Sequence, residues 1–191
     1  MGMEIKESND MHNVVVRRPR IEEIDFVNEF FELVLRDTFE RNGIADLVET
    51  LEEEIEDKRK CLNQDFESNG ENRDFLIVTI DDIIIGSIEY GPSNDLINTC
   101  TNGVLKDLVE IGTVFVYPKY QRKGIGNLML IHIFNELKNK GIKEFCFDSG
   151  YKSAQKIWIN KFGEPEYHLK GYWGEGADHM VWRLKVSDVL E

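Results

Sequence analysis

The six residues Gln121-Arg122-Lys123-Gly124-Ile125-Gly126 put two cations and two glycines where an apolar run gives way to a helical pattern. A chain that enters a helix through glycines leaves several backbone N–H groups unpaired. Those groups lie at the positive end of the helix dipole. Glycine lets the backbone take unusual φ/ψ values and lets a ligand approach it closely. Arg122 and Lys123 add charge beside these donors. The chemistry is that of a site for a phosphate-bearing ligand. Two nucleotide-binding patterns fail here: GxxxxGK[ST] is absent, and GxGxxG would need its third glycine at Met129.

The elements around the corner are legible from periodicity. Residues 13–20 (NVVVRRPR) read as a first strand stopped by Pro19. Ile24, Val27, Phe31, Val34 and Leu35 then fall on one helical face, and Gly43 closes that helix. A second helix carries the stripe Leu47, Leu51, Ile55 and Leu62. DFLIVTI and IIIGSIEY form a hairpin joined at Asp81-Asp82. Residues 91–107 read as a long loop. The run 108–117 reads as a fourth strand buried on both faces. After the corner a helix runs to about Lys140, where Gly141 ends it. A fifth strand (KEFCFDSG), a short helix (SAQKIWINKF) and two last strands around WGEGAD follow. His179, Val181 and Arg183 share one face of the final strand, read as its polar side. The order predicts an α/β (α+β) fold with a mixed sheet of about seven strands and about four helices. One domain over residues 1–191 is expected, with 1–12 as a flexible N-terminus.

Composition excludes several functions. The formal net charge is -13, which disfavours nucleic acid and membrane surfaces as partners, since both are anionic. Between Ile21 and Leu62 there are fourteen Asp/Glu and five Lys/Arg, so this segment carries -9 of the total. It reads either as a solvated face or as an electrostatic funnel for a cation. The three cysteines are far apart and odd in number, which suits a reducing cytosol and predicts a cytoplasmic protein. There is no CxxC pair and no HExxH, so no metal site is expected. Neither an apolar leader nor a run of membrane-spanning length is present.

The corner, its preceding VFVYPKY strand end and its helix resemble the GNAT superfamily of acyl-CoA-dependent N-acyltransferases. The family motif Q/R-x-x-G-x-G/A stands here as Gln121 to Gly126, and the order of elements matches from residue 13 to about 186. The resemblance implies that the fourth and fifth strands splay apart and that acetyl-CoA is the co-substrate. The pantetheine arm would bond the backbone of Val114, Phe115 and Val116. The pyrophosphate would lie on amides from Arg122, Lys123, Gly124, Ile125, Gly126 and Asn127. Ser153 would lie alongside the pantetheine arm, or serve only as a helix N-cap.

N-acetyl transfer from acetyl-CoA is the activity implied, to a primary amine on a small cationic molecule or a peptide. The oligomeric state is left open, a homodimer included. An ammonium acceptor must lose a proton before it attacks. Glu110 is the candidate base: it precedes Val116 by six positions, so a regular strand turns both the same way. A strand N–H near Val114 is a candidate donor to the oxyanion. The chain departs from the family at the tyrosine that serves many members as acid, because Trp158 or Ile159 takes its place and Glu164 follows Gly163. A non-catalytic acyl-CoA-binding relative therefore stands as the alternative. On the acceptor side, Glu175, Asp178 and Trp173 would favour a cation, and His179 is a further candidate acid or base.

Overall fold

Asp81 and Asp82 both take positive φ, 48° and 65°. Two such residues make the tight turn whose twist matches a β-hairpin, and short acidic side chains tolerate it. The hairpin joins β2 (Asp74–Ile80) to β3 (Ile83–Pro92). In this computed structural model, which describes residues 13–190, seven strands form one sheet. The others are β1 (Val14–Arg17), β4 (Val109–Val116), β5 (Glu144–Ser149), β6 (Tyr167–Leu169) and β7 (His179–Lys185). Their order is β1-β2-β3-β4-β5-β7-β6, antiparallel except for the parallel β4–β5 pair. The expected N-terminal segment 1–12 lies outside the described residues.

Helix α1 (Ile24–Asn42) ends at Gly43, whose φ of 71° is the left-handed cap that glycine adopts without a Cβ penalty. Helix α2 is Val48–Ser68. Both lie on one face of the sheet. There Val27, Phe30, Phe31, Val34 and Leu62 pack on Phe75, Ile77 and Ile84. Helix α4 (Ile125–Asn139) covers the opposite face, where Met129, Ile133, Phe134 and Leu137 meet Ile85, Ile88, Ile111, Phe145 and Trp182. Each such side chain contributes roughly 1.5–3 kcal/mol by leaving water. Helix α5 (Lys152–Phe162) adds Trp158 and Phe162 to this second core.

Two expectations are corrected. Segment 91–107 is not an open loop: it holds a short helix α3 (Asp95–Cys100), making five helices. Asn94 caps it, its Oδ1 accepting from Ile97 N–H at 2.7 Å. Ile97 and Leu105 bury against Cys146 and Val181, so tertiary packing orders a segment too short to be helical alone. The second correction is the register of β4. Glu89 pairs with Gly112 and Ser87 with Phe115, so β4 holds one residue more than β3 over this stretch. Thr113 makes the bulge at φ 49°, unusual for a β-branched residue. It is held there because its hydroxyl donates to Glu89 Oε1 at 3.2 Å and its carbonyl accepts from Ser87 at 3.0 Å. The bulge reverses the alternation. Val109 and Ile111 face α4 before it, and Val114 and Val116 do so after it. Glu110 therefore faces the α1/α2 side with Phe115, opposite to Val116.

Candidate active site

β4 and β5 pair only at Val109–Phe145 and Glu110–Cys146. Beyond these residues β4 continues to Val116 and β5 to Ser149 without a strand partner between them. The backbone of Val114, Phe115 and Val116 thus lies along an open cleft. Their side chains do structural work: Val114 and Val116 pack on the α4-side core, and Phe115 meets Phe31 edge-on at 6.0 Å between ring centres.

Glu110 stands at the fork of this cleft with 7 % of its surface exposed. The capping residue of α3 clamps it. Asn94 N–H donates to Oε2 at 2.7 Å and the Asn94 amide donates to Oε1 at 2.9 Å. Burial pushes the carboxyl up to about 8, with help from Asp148 and Glu89 and against Lys58 and the Asn94 N–H. Sequence reasoning missed Asn94, although Ser93-Asn94-Asp95 ahead of an apolar residue is a helix-start signal.

The same face of the sheet carries charged or polar groups on four strands. Glu89 on β3 is buried in an ion pair with Arg73, Nη1 to Oε2 2.5 Å. Glu110 is on β4, Asp148 on β5 and His179 at the start of β7. His179 is 2 % exposed, so the face read as polar from alternation is an interior one. Trp173 Nε1–H donates to His179 Nδ1 at 3.3 Å. An indole N–H only donates, so Nδ1 is the bare nitrogen and the ring hydrogen sits on Nε2. That Nε2–H donates to Asp148 Oδ2 at 3.1 Å. Asp178, expected to meet a cation, is instead tied to the hairpin by His168 Nε2 at 2.7 Å and Gly171 N–H at 2.8 Å. Trp173 is 54 % exposed beside Tyr172, their rings 4.8 Å apart.

The corner has the backbone its glycines foretold. Arg122 and Gly124 take φ of 62° and 86°, and Gly124 caps α4. A Cβ built on Gly124 or Gly126 meets no atom within 4 Å. Ile125 is buried in the core, while Lys123 stands over the Tyr120 ring at 5.3 Å. Lys161 from α5 reaches Asn127 Oδ1 at 2.7 Å and brings a further cation to the first turn of α4. The Gln121 side chain is a brace: its amide donates to the Val116 carbonyl at 3.2 Å and its Oε1 accepts from Arg41 at 2.5 Å. Ser153 is not the cap of α5; Tyr151 is. Ser153 instead pairs with Asn42 at the end of α1, its Oγ accepting at 3.0 Å and its N–H donating at 3.2 Å. Arg41 and Asn42 therefore tie α1 to both sides of the cleft, a contact between residues 80 and 111 positions apart.

Trp158 stacks on Phe162, 5.9 Å between centres, and meets Phe147 edge-on at 5.3 Å. It is a core residue and supplies no phenol. Tyr151 carries one nearby. Its hydroxyl is buried beside Glu54 without a well-formed hydrogen bond, and burial first, then Glu54, push it far above the usual phenol range. Among the described residues no group of metal-binding side chains converges, and no helix is long and apolar enough to cross a membrane.

A mixed sheet whose parallel pair parts around a buried carboxylate, with a glycine corner opening the next helix, is the architecture that the resemblance implied. A family model for the acetyltransferase (GNAT) family matches residues 27–163, and the chain belongs to that family. Solved structures share the fold. One from Desulfovibrio desulfuricans, assigned to the GNAT family, is 18% identical with TM-score 0.67, covering 91% of this chain and 99% of that one. The PaiA N-acetyltransferase of Thermoplasma acidophilum, in complex with coenzyme A, is 20% identical with TM-score 0.64, covering 91% and 99%. The ribosomal-protein-alanine N-acetyltransferase of Brucella melitensis is 13% identical with TM-score 0.62, covering 90% and 99%. No curated protein matches the chain by sequence.

Proposed function

We propose that this chain transfers an acetyl group from acetyl-CoA to a primary amine by direct attack, with Glu110 as the base. The observation that carries the reading is Glu110 itself. It is buried at the fork of β4 and β5, held by Asn94, with its proton affinity raised to about 8. A carboxylate of that affinity is well matched to take a proton from an ammonium near neutrality.

Acetyl-CoA supplies an activated thioester, and the residues present fit it. The corner amides from Arg122 to Asn127 would hold the pyrophosphate, since the open sides of Gly124 and Gly126 leave the backbone approachable. Arg122, Lys123 and Lys161 supply the charge. The cleft edge of Val114 to Val116 would take the pantetheine arm, with Ser153 across from it. A strand N–H near Val114, just past the Thr113 bulge, would donate to the oxyanion. Glu110 takes one proton from the ammonium; as the freed amine nitrogen bonds the acetyl carbon and the C–S bond breaks, the second proton that the nitrogen sheds goes to the departing thiolate, which leaves as the thiol. A thiol of pKa ~8.5 leaves without an obligatory acid.

A cationic acceptor, a small amine or a peptide amine, is supported by the carboxylates of Asp148 and Glu54 beside the cleft and by the acidic α1/α2 segment. Cys61, Cys100 and Cys146 are all free, which supports action in a reducing compartment such as the cytoplasm. The indole at Trp158 favours a second reading, an acyl-CoA binder without turnover. Free-thiol release from acetyl-CoA, screened against polyamines, aminoglycosides, amino acids and peptides, separates the two. Glu110→Gln is expected to lower kcat roughly 10²–10⁴-fold with CoA affinity nearly unchanged. Full activity of that variant would place the base elsewhere.

A further inference from the structure

The cleft between β4 and β5 opens just beyond the Glu110–Cys146 pair. Asp148 lies two residues further along β5 and so on the same face as Cys146 and Glu110. It stands on the opposite rim of the cleft from Glu110. Among the described residues only His179 hydrogen-bonds it, and only through Oδ2. Its side chain is 18% exposed, so Oδ1 is open to a donor that enters the cleft. Everything behind it is fixed. His179 is buried, its tautomer is set by the Trp173 indole, and its remaining N–H points at Asp148. A half-exposed tryptophan that spends its N–H on a buried histidine, which in turn orients a cleft carboxylate, is built to hold one acceptor atom still.

Resting on Glu110 as the base, we propose that Asp148, oriented by His179 and Trp173, is the second carboxylate of the acceptor site and binds the ammonium form of the amine beside Glu110. The acceptor class is a primary ammonium, and an uncharged nucleophile gains nothing from Asp148. An ammonium held by Asp148 is delivered within reach of Glu110 by the charge that attracts it. The groups that face Glu110 are Glu89 on β3, Asp148 and Cys146 on β5, Lys58 and Cys61 on α2, and Arg73 ahead of β2. Glu89 is neutralised by Arg73 and Glu54 faces Lys58, which leaves Asp148 as the acidic neighbour of Glu110 across the cleft.

Asp148→Asn keeps the size of the side chain and an oxygen for the His179 N–H. Thiol release from acetyl-CoA is measured with ethylamine, a cation at neutral pH, and with hydroxylamine, which is uncharged there. A hydrogen bond to a charged group lost from the site lowers kcat/KM for ethylamine about 10- to 100-fold and leaves the hydroxylamine value nearly unchanged. Trp173→Phe, at an exposed position, removes only the indole donor and shifts the same ratio about 2- to 10-fold. Independently of turnover, the Glu110 carboxyl, followed by ¹³C NMR, titrates at lower pH in Asp148→Asn than in the wild type. Equal losses for both nucleophiles, or an unmoved Glu110 midpoint, overturn the proposal. The base assignment fails separately, through an active Glu110→Gln, and the ratio of the two nucleophiles still judges Asp148 in that case.

Discussion

Replacing Gly126 by valine separates the corner's role in folding from its role in binding, because the two effects carry opposite signs. Gly126 lies in the first turn of α4, and a Cβ there meets no protein atom within 4 Å. The fold has room for the new side chain. Glycine inside a helix costs about 0.5–1 kcal/mol relative to alanine, and valine recovers part of that. Stability should therefore stay level or rise by up to about 0.5 kcal/mol, a gain in Tm of about 1–2 °C for a chain of this size. The ligand meets the reverse. On the proposed placement of the pyrophosphate at the corner amides, a branched side chain would stand in its approach, and losing two charge-assisted hydrogen bonds at about 1.5 kcal/mol each would weaken CoA binding roughly 100-fold. Thermal unfolding and calorimetric titration with CoA measure the two quantities on one preparation. Gly124→Ala is the contrast: its φ of 86° strains any L side chain, so it loses about 1–2 kcal/mol of stability whether or not the ligand comes near. A Gly126→Val protein that is folded and binds CoA as tightly as the wild type would refute the assignment of the corner.

The raised proton affinity of Glu110 also predicts a pH dependence of stability. Its carboxyl keeps a proton to about pH 8 in the folded chain, against an ordinary value of 4.5, so the native state binds more protons across that window and stability falls as pH rises through it. Glu110→Gln should flatten this slope in urea unfolding, and an unchanged slope would mean that the carboxyl is not perturbed. Gly112→Ala would place a Cβ 2.5 Å from Glu89 Oε1 and push against the buried Arg73 pair. The expected cost is about 1–3 kcal/mol, read as a lower urea midpoint. If the acidic α1/α2 segment steers the acceptor, salt should lower kcat/KM for a cationic amine more than for a neutral one. Equal sensitivity would leave that segment as a solvated face, partly neutralised by the Arg36–Glu32 and Arg41–Asp37 pairs.

The corner was legible because its signal is local. Gly124 and Gly126 with Arg122 and Lys123 dictate a turn and a set of free amides over a few residues, and the structure gives that turn positive φ at Arg122 and Gly124. The hairpin at Asp81-Asp82, the stripe of α1, that of α2 apart from Leu47, which precedes the helix and is exposed, and the order of strands were likewise readable, since each depends on a short period or a turn residue. The site around Glu110 was not. Period-2 counting put Glu110 and Val116 on one face, but a single bulge at Thr113, held by Glu89 and Ser87 on the neighbouring strand, reverses the count. Asn94 looked like loop, yet it caps α3 and clamps both oxygens of Glu110 from sixteen positions away. His179 looked like one polar residue on an alternating strand. Its meaning comes from Asp148, 31 residues earlier, and Trp173, placed by a loop. Local backbone preference is written into neighbouring residues, whereas burial, proton affinity and the pairing of distant side chains arise only when strands and helices close on one another, so the turn at Gly124 and the resemblance it carries were readable along the chain while the packed sheet decided which carboxylates face the cleft.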